Sequence, residues 1–348
     1  MRTRRHVLLL LALVLTVVLY ISLRGTSQDV RHTSADISRS SKVKNNAYVI
    51  FLSSDIVDEA GDQDLEDDTY WIAARILVYQ LLYAPETRTR RNYEVVVATT
   101  PTVSAAKRQR LRQDGAKVVE IEDVDAGWVQ TNQTNWKSVM AKFRLWQMTQ
   151  YERVMLLDAD IVLQECMDAA FDEEAVRTRR TIVPADYKPM KNEASLPNDY
   201  AFAATARLHV NGFNYPPLSK DDFMENGDAL NAGFIILKPD QAMFEYYTSL
   251  TRVDRYLPNG EQLFKRIWSE QALLNYTHRR NGPMPWGELD PTWMLLVPRV
   301  EHIVKGRPKA LHQKWWKPMS HGIGPWLLPW KGRMDGFWEG REYERSGG

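Results

Sequence analysis

The stretch "RVMLLDADIVLQ", residues 153–164, decides the reading of this chain. Val154 to Leu157 is an apolar run of the kind that forms the buried centre of a sheet, and it ends on two carboxylates, Asp158 and Asp160. Burying an unpaired carboxylate is expensive. Side chains alternate along a strand, so residues two apart turn to the same face and converge on one point. Between Val154 and Leu163 there is no lysine or arginine to neutralise them. A divalent cation would do so, and hard oxygen ligands suit magnesium or manganese, which keep coordination positions open for phosphate oxygens. The bland alternative is that acidic residues after a strand cap the next helix or accept backbone hydrogen bonds.

Outward from this stretch the periodicities alternate. "AYVIFLS" (47–53), "YEVVVATT" (93–100) and "KVVEIEDV" (117–124) read as strands. Between them, "TYWIAARILVYQLLY" (69–83) has apolar residues at helical spacing, and "VSAAKRQRLRQDG" (103–115) reads as an exposed helix ending at Gly115. "SVMAKFRLWQMTQ" (138–150) reads as an amphipathic helix leading into the aspartate strand. Such alternation gives an α/β fold with a doubly wound, parallel sheet, in which ligands collect beyond the carboxyl ends of the strands. Asp158 and Asp160 lie at such an end. The domain is expected over residues 47–340, with a disordered tail at 341–348.

The N-terminus differs from the rest. After a basic start with Arg2, Arg4 and Arg5, Val7 to Leu23 is uncharged and almost wholly apolar. We expect a transmembrane signal anchor at 7–23 behind a cytosolic tail at 1–6, with a cleaved signal peptide as the rival. Residues 24–46, rich in serine, arginine and aspartate, read as a flexible stem. This organisation predicts a single-pass type II membrane protein with a lumenal domain, which the family resemblance given below would place in the Golgi, and there the sequons at Asn132 and Asn275 would meet the glycosylation machinery.

Composition excludes several classes. Lys plus Arg number 45 against 44 Asp plus Glu, which gives no electrostatic case for nucleic acid. Cys166 is the sole cysteine, so neither an intramolecular disulfide nor a multi-cysteine zinc site can form. The sequence has no P-loop, no G-x-G-x-x-G after the first strand and no G-x-S-x-G elbow. A metal-dependent phosphatase or nucleotidyltransferase, and a binding module without turnover, remain open.

The motifs "MLLDADIVL" (155–163), "LNAGFIILKP" (230–239), "SEQALLNY" (269–276) and "HQKWWKP" (312–318), in this order, resemble glycosyltransferase family 8, the family of glycogenin and galactinol synthase. "TYWIAARILVYQLLYAPETRTR" (69–90) is especially similar to fungal Golgi-type members. The resemblance implies a GT-A fold, a Rossmann-like nucleotide-diphospho-sugar-binding domain around a mixed central sheet. It also implies a UDP-sugar donor, a glycan or glycoconjugate acceptor, retention of configuration and a Mn2+ cofactor, with Mg2+ as a possible substitute.

Carried over residue by residue, the resemblance makes Asp158, Asp160 and His312 the metal ligands, with Asp158 also meeting the donor. Lys317 matches the phosphate-binding lysine of the family's H-x-x-G-x-x-K-P-W motif. That motif departs here: the spacing is one residue shorter, its glycine is missing and Met319 replaces tryptophan, which makes Lys314 a rival. Asn231, Ala232 and Gly233 match the sugar-contacting N-A-G, and Asp228 stands where an acid often meets the sugar. Glu270 and Gln271 match a D-Q pair on the acceptor side, with glutamate in place of aspartate. Tyr70, with Ala73 and Ala74, matches the residues beside the uracil ring, and Lys142 a lysine that reaches the donor. The implied mechanism is front-face substitution, with covalent double displacement through Glu270 or Asp228 as its competitor. Of twelve tryptophans, only Trp315 or Trp316 is expected near the site, the rest serving as core.

Overall fold

The apolar run Ala47–Leu52 has no polar face to offer solvent, so a strand made from it must be covered on both sides. In the computed structural model it is fully buried and sits inside the main sheet. The structure describes residues 45–54, 68–129, 138–185, 187–209, 214–265, 269–317 and 322–347. The expected membrane segment Val7–Leu23, nearly all of the stem and the sequon at Asn132 lie outside the described residues. Among the described residues, no helix is long and apolar enough to cross a membrane.

In chain order the main elements are β1 (Ala47–Leu52), α1 (Thr69–Leu82), β2 (Glu94–Thr99), α2 (Ala105–Gln113), β3 (Lys117–Glu120), β4 (Val154–Asp158) and β5 (Ile161–Leu163). There follow β6 (Arg179–Arg180), β7 (Asp199–Tyr200), β8 (Phe202–Ala206), β9 (Leu230–Leu237), α3 (Gln241–Leu250), α4 (Glu270–Thr277) and β10 (Gly287–Leu289). The last are β11 (Leu295–Leu296), α5 (Val300–Gly306), β12 (Ala310–His312), α6 (Gly324–Leu327) and α7 (Pro329–Arg345). Helix starts follow side-chain capping: Asp68 accepts from the Trp71 amide at 3.0 Å, and Asp240 from the Ala242 amide at 2.8 Å.

The seven-stranded sheet has the order β10-β8-β9-β4-β1-β2-β3. Its β4-β1-β2-β3 half is parallel, as the strand-helix alternation predicts. β9 departs from that pattern by lying antiparallel to both β4 and β8, so the sheet is mixed, as the family resemblance implies. Alternate β1 residues supply two cores. Tyr48, Ile50 and Leu52 pack on the face covered by α1 and α7; Val49 and Phe51 pack on the other, with Phe143, Trp146 and Tyr247. A second sheet, β11-β12-β5, carries the C-terminal motif to the end of β4.

Two local expectations are corrected. Residues Val139–Gln147 form a 3-10 helix rather than an amphipathic α-helix. Seven of its residues are buried, so packing surrounds it instead of favouring one stripe. Its three-residue period aligns Val139 with Lys142, and both face the same cavity. The tail expected to be disordered from residue 341 continues α7 to Arg345. Trp330, Met334 and Trp338 bury one side of that helix, Phe337 packs on Tyr83 at 4.7 Å, and Arg110 pairs with Glu342 at 3.0 Å.

His278 shows how polar groups are held inside this fold. Its ring stacks on Phe202 at 4.0 Å, its Nδ1–H donates to the Met284 carbonyl at 2.7 Å, and its Nε2 accepts from the Tyr247 hydroxyl at 2.5 Å. Burial pushes the imidazole down to about 3, so the native state keeps it neutral while the unfolded chain protonates near 6.5. The stability it confers is complete above pH 6.5 and is lost as pH falls toward 3. Between pH 7.5 and 5.0 this should cost about 2 kcal/mol. Denaturant titrations of the wild type and His278→Gln at both pH values should show the variant losing less stability on acidification; equal losses would contradict this.

Candidate metal and donor site

Asp158 closes β4, and Asp160 sits in the turn to β5. β5 pairs antiparallel with β12, which sets His312 opposite Ile161. A residue about 150 positions away is thereby delivered to the aspartates: His312 Nε2 lies 3.1 Å from Asp160 Oδ1. One ligand atom from each of Asp158, Asp160 and His312 lies within 4.8 Å of the others. The three expected metal ligands are therefore together.

Gly233 of β9 faces the same point. A Cβ there would stand 2.4 Å from His312 Cε1, 2.8 Å from Asp158 Oδ2 and 2.9 Å from His312 Nδ1. Glycine keeps this space open. The Nδ1 atom itself is buried without a hydrogen-bond partner. Two carboxylates, an imidazole with an unsatisfied nitrogen and a cradle that a methyl group would fill are a fitting set for manganese or magnesium.

The sequence offers no cation on the aspartate strand, yet the structure supplies one from the 3-10 helix. Lys142 Nζ lies 2.7 Å from Asp158 Oδ1 and 3.1 Å from Glu270 Oε1. Burial alone would push this ammonium down, but the two carboxylates outweigh it and hold the lysine above its usual range. Burial raises Glu270, with Lys142 opposing. Burial would also raise Asp160, but His312 beside it prevails and holds the carboxyl below its usual range. For His312 burial would lower the ring, and Asp160 and Asp158 more than offset this. A proton and a cation thus compete for the same imidazole.

These groups line a cavity of about 380 Å³. Its other walls include Tyr70, Asn231, Ala232, Gly233, Gln271 and Lys314. Tyr70 opens α1 and packs edge-on against Trp316 at 4.9 Å, with Lys314 Nζ 5.3 Å from the Tyr70 ring centre. Ala73 and Ala74 are buried in the core instead of lining the cavity. Asn231 Oδ1 accepts from the Gly233 amide at 2.9 Å, and Gln271 Oε1 from the Ala232 amide at 3.0 Å.

Two expected site residues are displaced. Lys317 is exposed and absent from the cavity wall; its amide donates to the Lys314 carbonyl at 3.0 Å, and Lys314 lines the cavity. Asp228 is also outside the wall; its Oδ1 is 3.2 Å from Arg280 Nε, in a surface cluster with Glu288. Sequence reasoning missed Ser53 at the carboxyl end of β1, and Arg207 just past β8. Their place directly after apolar runs was the available signal, by the same rule that singled out Asp158. It also gave no sign of backbone strain at Ser269 (φ 46°), which precedes Glu270, or at the cavity residue Val297 (φ 50°). Such conformations cost on the order of 1–3 kcal/mol and persist where packing over-determines them.

If the cradle is the cation site, Gly233→Ala should weaken Mn2+ binding by about 100-fold or more, since the methyl group displaces His312 or Asp158. Electron paramagnetic resonance of free Mn2+ measures this without any turnover. Unchanged affinity in a folded variant would remove Gly233 and its neighbours from the site.

No protein-family model matches the chain. An uncharacterized protein of Schizosaccharomyces pombe is 23% identical over 94% of this chain and 92% of its own length. Galactinol synthase 5 of Arabidopsis thaliana is 29% identical over 41% of this chain and 38% of its own length. Among solved structures, the apo form of the bifunctional glycosyltransferase WbbM aligns with a TM-score of 0.48 and 16% identity, over 87% of this chain and 52% of that one. The sequence relatives carry the family resemblance: over part of its length, the chain is similar to the galactinol synthases of glycosyltransferase family 8.

Proposed function

We propose that this chain is a retaining, Mn2+-dependent glycosyltransferase that moves a hexosyl or N-acetylhexosaminyl group from a UDP-sugar to a glycan or glycoconjugate acceptor. One observation carries the reading: Asp158, Asp160 and His312 converge across a single cavity from Asn231–Gly233 and from the Lys142–Glu270 pair. The similarity to galactinol synthases supports the same class.

In this reading Asp158, Asp160 and His312 hold the cation, which when bound offsets charge on the departing diphosphate. Lys314 supplies a second positive charge to the phosphates, and Tyr70 a flat wall for the base. Asn231 and Gln271 present amides to the sugar and acceptor hydroxyls. Lys142 holds Glu270 and Asp158 in fixed relation and keeps the two carboxylates from repelling one another.

The acceptor oxygen bonds to the anomeric carbon as the bond to the UDP oxygen breaks, and the acceptor proton passes to that departing oxygen. Front-face substitution is favoured by two observations. Asp228 lies outside the cavity wall, and Glu270, ion-paired to Lys142, is committed as a positioning carboxylate rather than a nucleophile. Most of the acceleration then comes from positioning and charge neutralisation.

A panel of UDP-sugars with Mn2+, scored by release of UDP with and without candidate acceptors, tests the reading. One donor should be turned over, and Asp158→Ala should reduce turnover by at least about 100-fold. Release of inorganic phosphate from simple monoesters, with no UDP-sugar turned over, would instead assign a phosphatase.

A further inference from the structure

β9 runs four residues, Leu230–Gly233, beyond Phe234, its last partner on β4. Those residues include the N-A-G segment in the cavity wall. Backbone amides in such an overhang need acceptors from elsewhere. The Leu230 N–H donates to Asn275 Oδ1 at 2.9 Å, and the Ala232 N–H to Gln271 Oε1 at 3.0 Å. Asn275 and Gln271 stand one turn apart on α4, and Asn275 Nδ2 donates to the Gln271 backbone carbonyl at 2.8 Å. Two side-chain amides of α4 therefore replace a missing strand as the partner of β9.

We infer that Asn275 is a positioning residue for the donor-sugar pocket: it fixes α4, and with it Glu270 and Gln271, against the overhang that carries Asn231 and Gly233. Asn275 itself does not line the cavity. The donor and acceptor pattern fixes its amide orientation, since the backbone N–H requires the oxygen and the carbonyl requires the nitrogen. No apolar residue of similar size supplies both. The same bonds occupy the sequon around Asn275: the nitrogen that a glycan would substitute is bonded inside the fold, and Thr277 is buried.

This inference deepens the proposed glycosyltransferase reading and rests on it for its kinetic consequence. Small misplacements of positioning groups lower turnover strongly. Asn275→Ala should reduce donor kcat/KM by about tenfold or more. Met334→Ala, in the buried face of α7 away from the cavity, serves as the control for general destabilisation; it should keep kcat/KM within about twofold at a comparable loss of Tm. Hydrogen exchange gives a readout independent of turnover. The Leu230–Ala232 amides should exchange about tenfold faster or more in Asn275→Ala, with Met155–Leu157 of β4 unchanged and no such effect in Met334→Ala. Unchanged exchange at Leu230–Ala232 would overturn the clamp. Faster exchange with kcat/KM equal to the control would overturn its positioning role. A wild type that turns over no UDP-sugar would defeat the functional reading, while the exchange result would still decide whether the clamp exists.

Discussion

The rest of the structure is arranged around the problem of holding three carboxylates at the end of a buried strand. Asp158, Asp160 and Glu270 are drawn together in a space walled by Phe51, Leu52 and Leu296, where uncompensated charge is penalised. Compensation comes from two directions. Lys142 bridges Asp158 and Glu270, and His312 faces Asp160. Each compensating group reaches the cluster from a different element, so the 3-10 helix, α4, β4 and β12 all depend on one another at this point. In the proposed reading, a cation held by Asp158, Asp160 and His312 would add the positive charge that a donor diphosphate needs.

The mixed sheet is the means by which this cluster acquires its floor. Had β9 run parallel to β4, its carboxyl end would have come to the cavity; being antiparallel, it brings its N-terminal residues instead. That end holds Asn231 and Gly233, and the absence of a Cβ at Gly233 leaves room before His312 and Asp158. The overhang that results is stitched to α4 by Gln271 and Asn275, so the same reversal that opens the cradle also couples it to Glu270.

Much of this is legible in the sequence. The apolar runs of β1, β2 and β4, the helical spacing of α1 and the Gly115 stop after α2 are local signals, and each became the expected element. Asp158 and Asp160 stood out because carboxylates rarely end an apolar strand without purpose. His312 was reached only through the family motif, since nothing local in "ALHQ" reveals that β12 pairs with β5. The Lys142–Asp158 contact was invisible for the same reason: a residue sixteen positions upstream becomes a neighbour only when the 3-10 helix is packed. Lys317, whose motif departs from the family pattern, and Asp228 do not line the cavity. The Lys317 amide bonds to the Lys314 carbonyl, and Asp228 pairs with Arg280 at the surface. The helical end of the tail depended on long-range contacts with Tyr83 and Arg110 that a polar composition does not announce.

The central claim is that one cation is shared by Asp158, Asp160 and His312. Anomalous diffraction from crystals grown with Mn2+ and UDP tests it most directly. The expected result is one strong peak within about 2.0–2.4 Å of a carboxylate oxygen from each aspartate and of an imidazole nitrogen, with UDP oxygens completing the sphere. A peak elsewhere, or none at this triad while UDP is bound in the cavity, would contradict it.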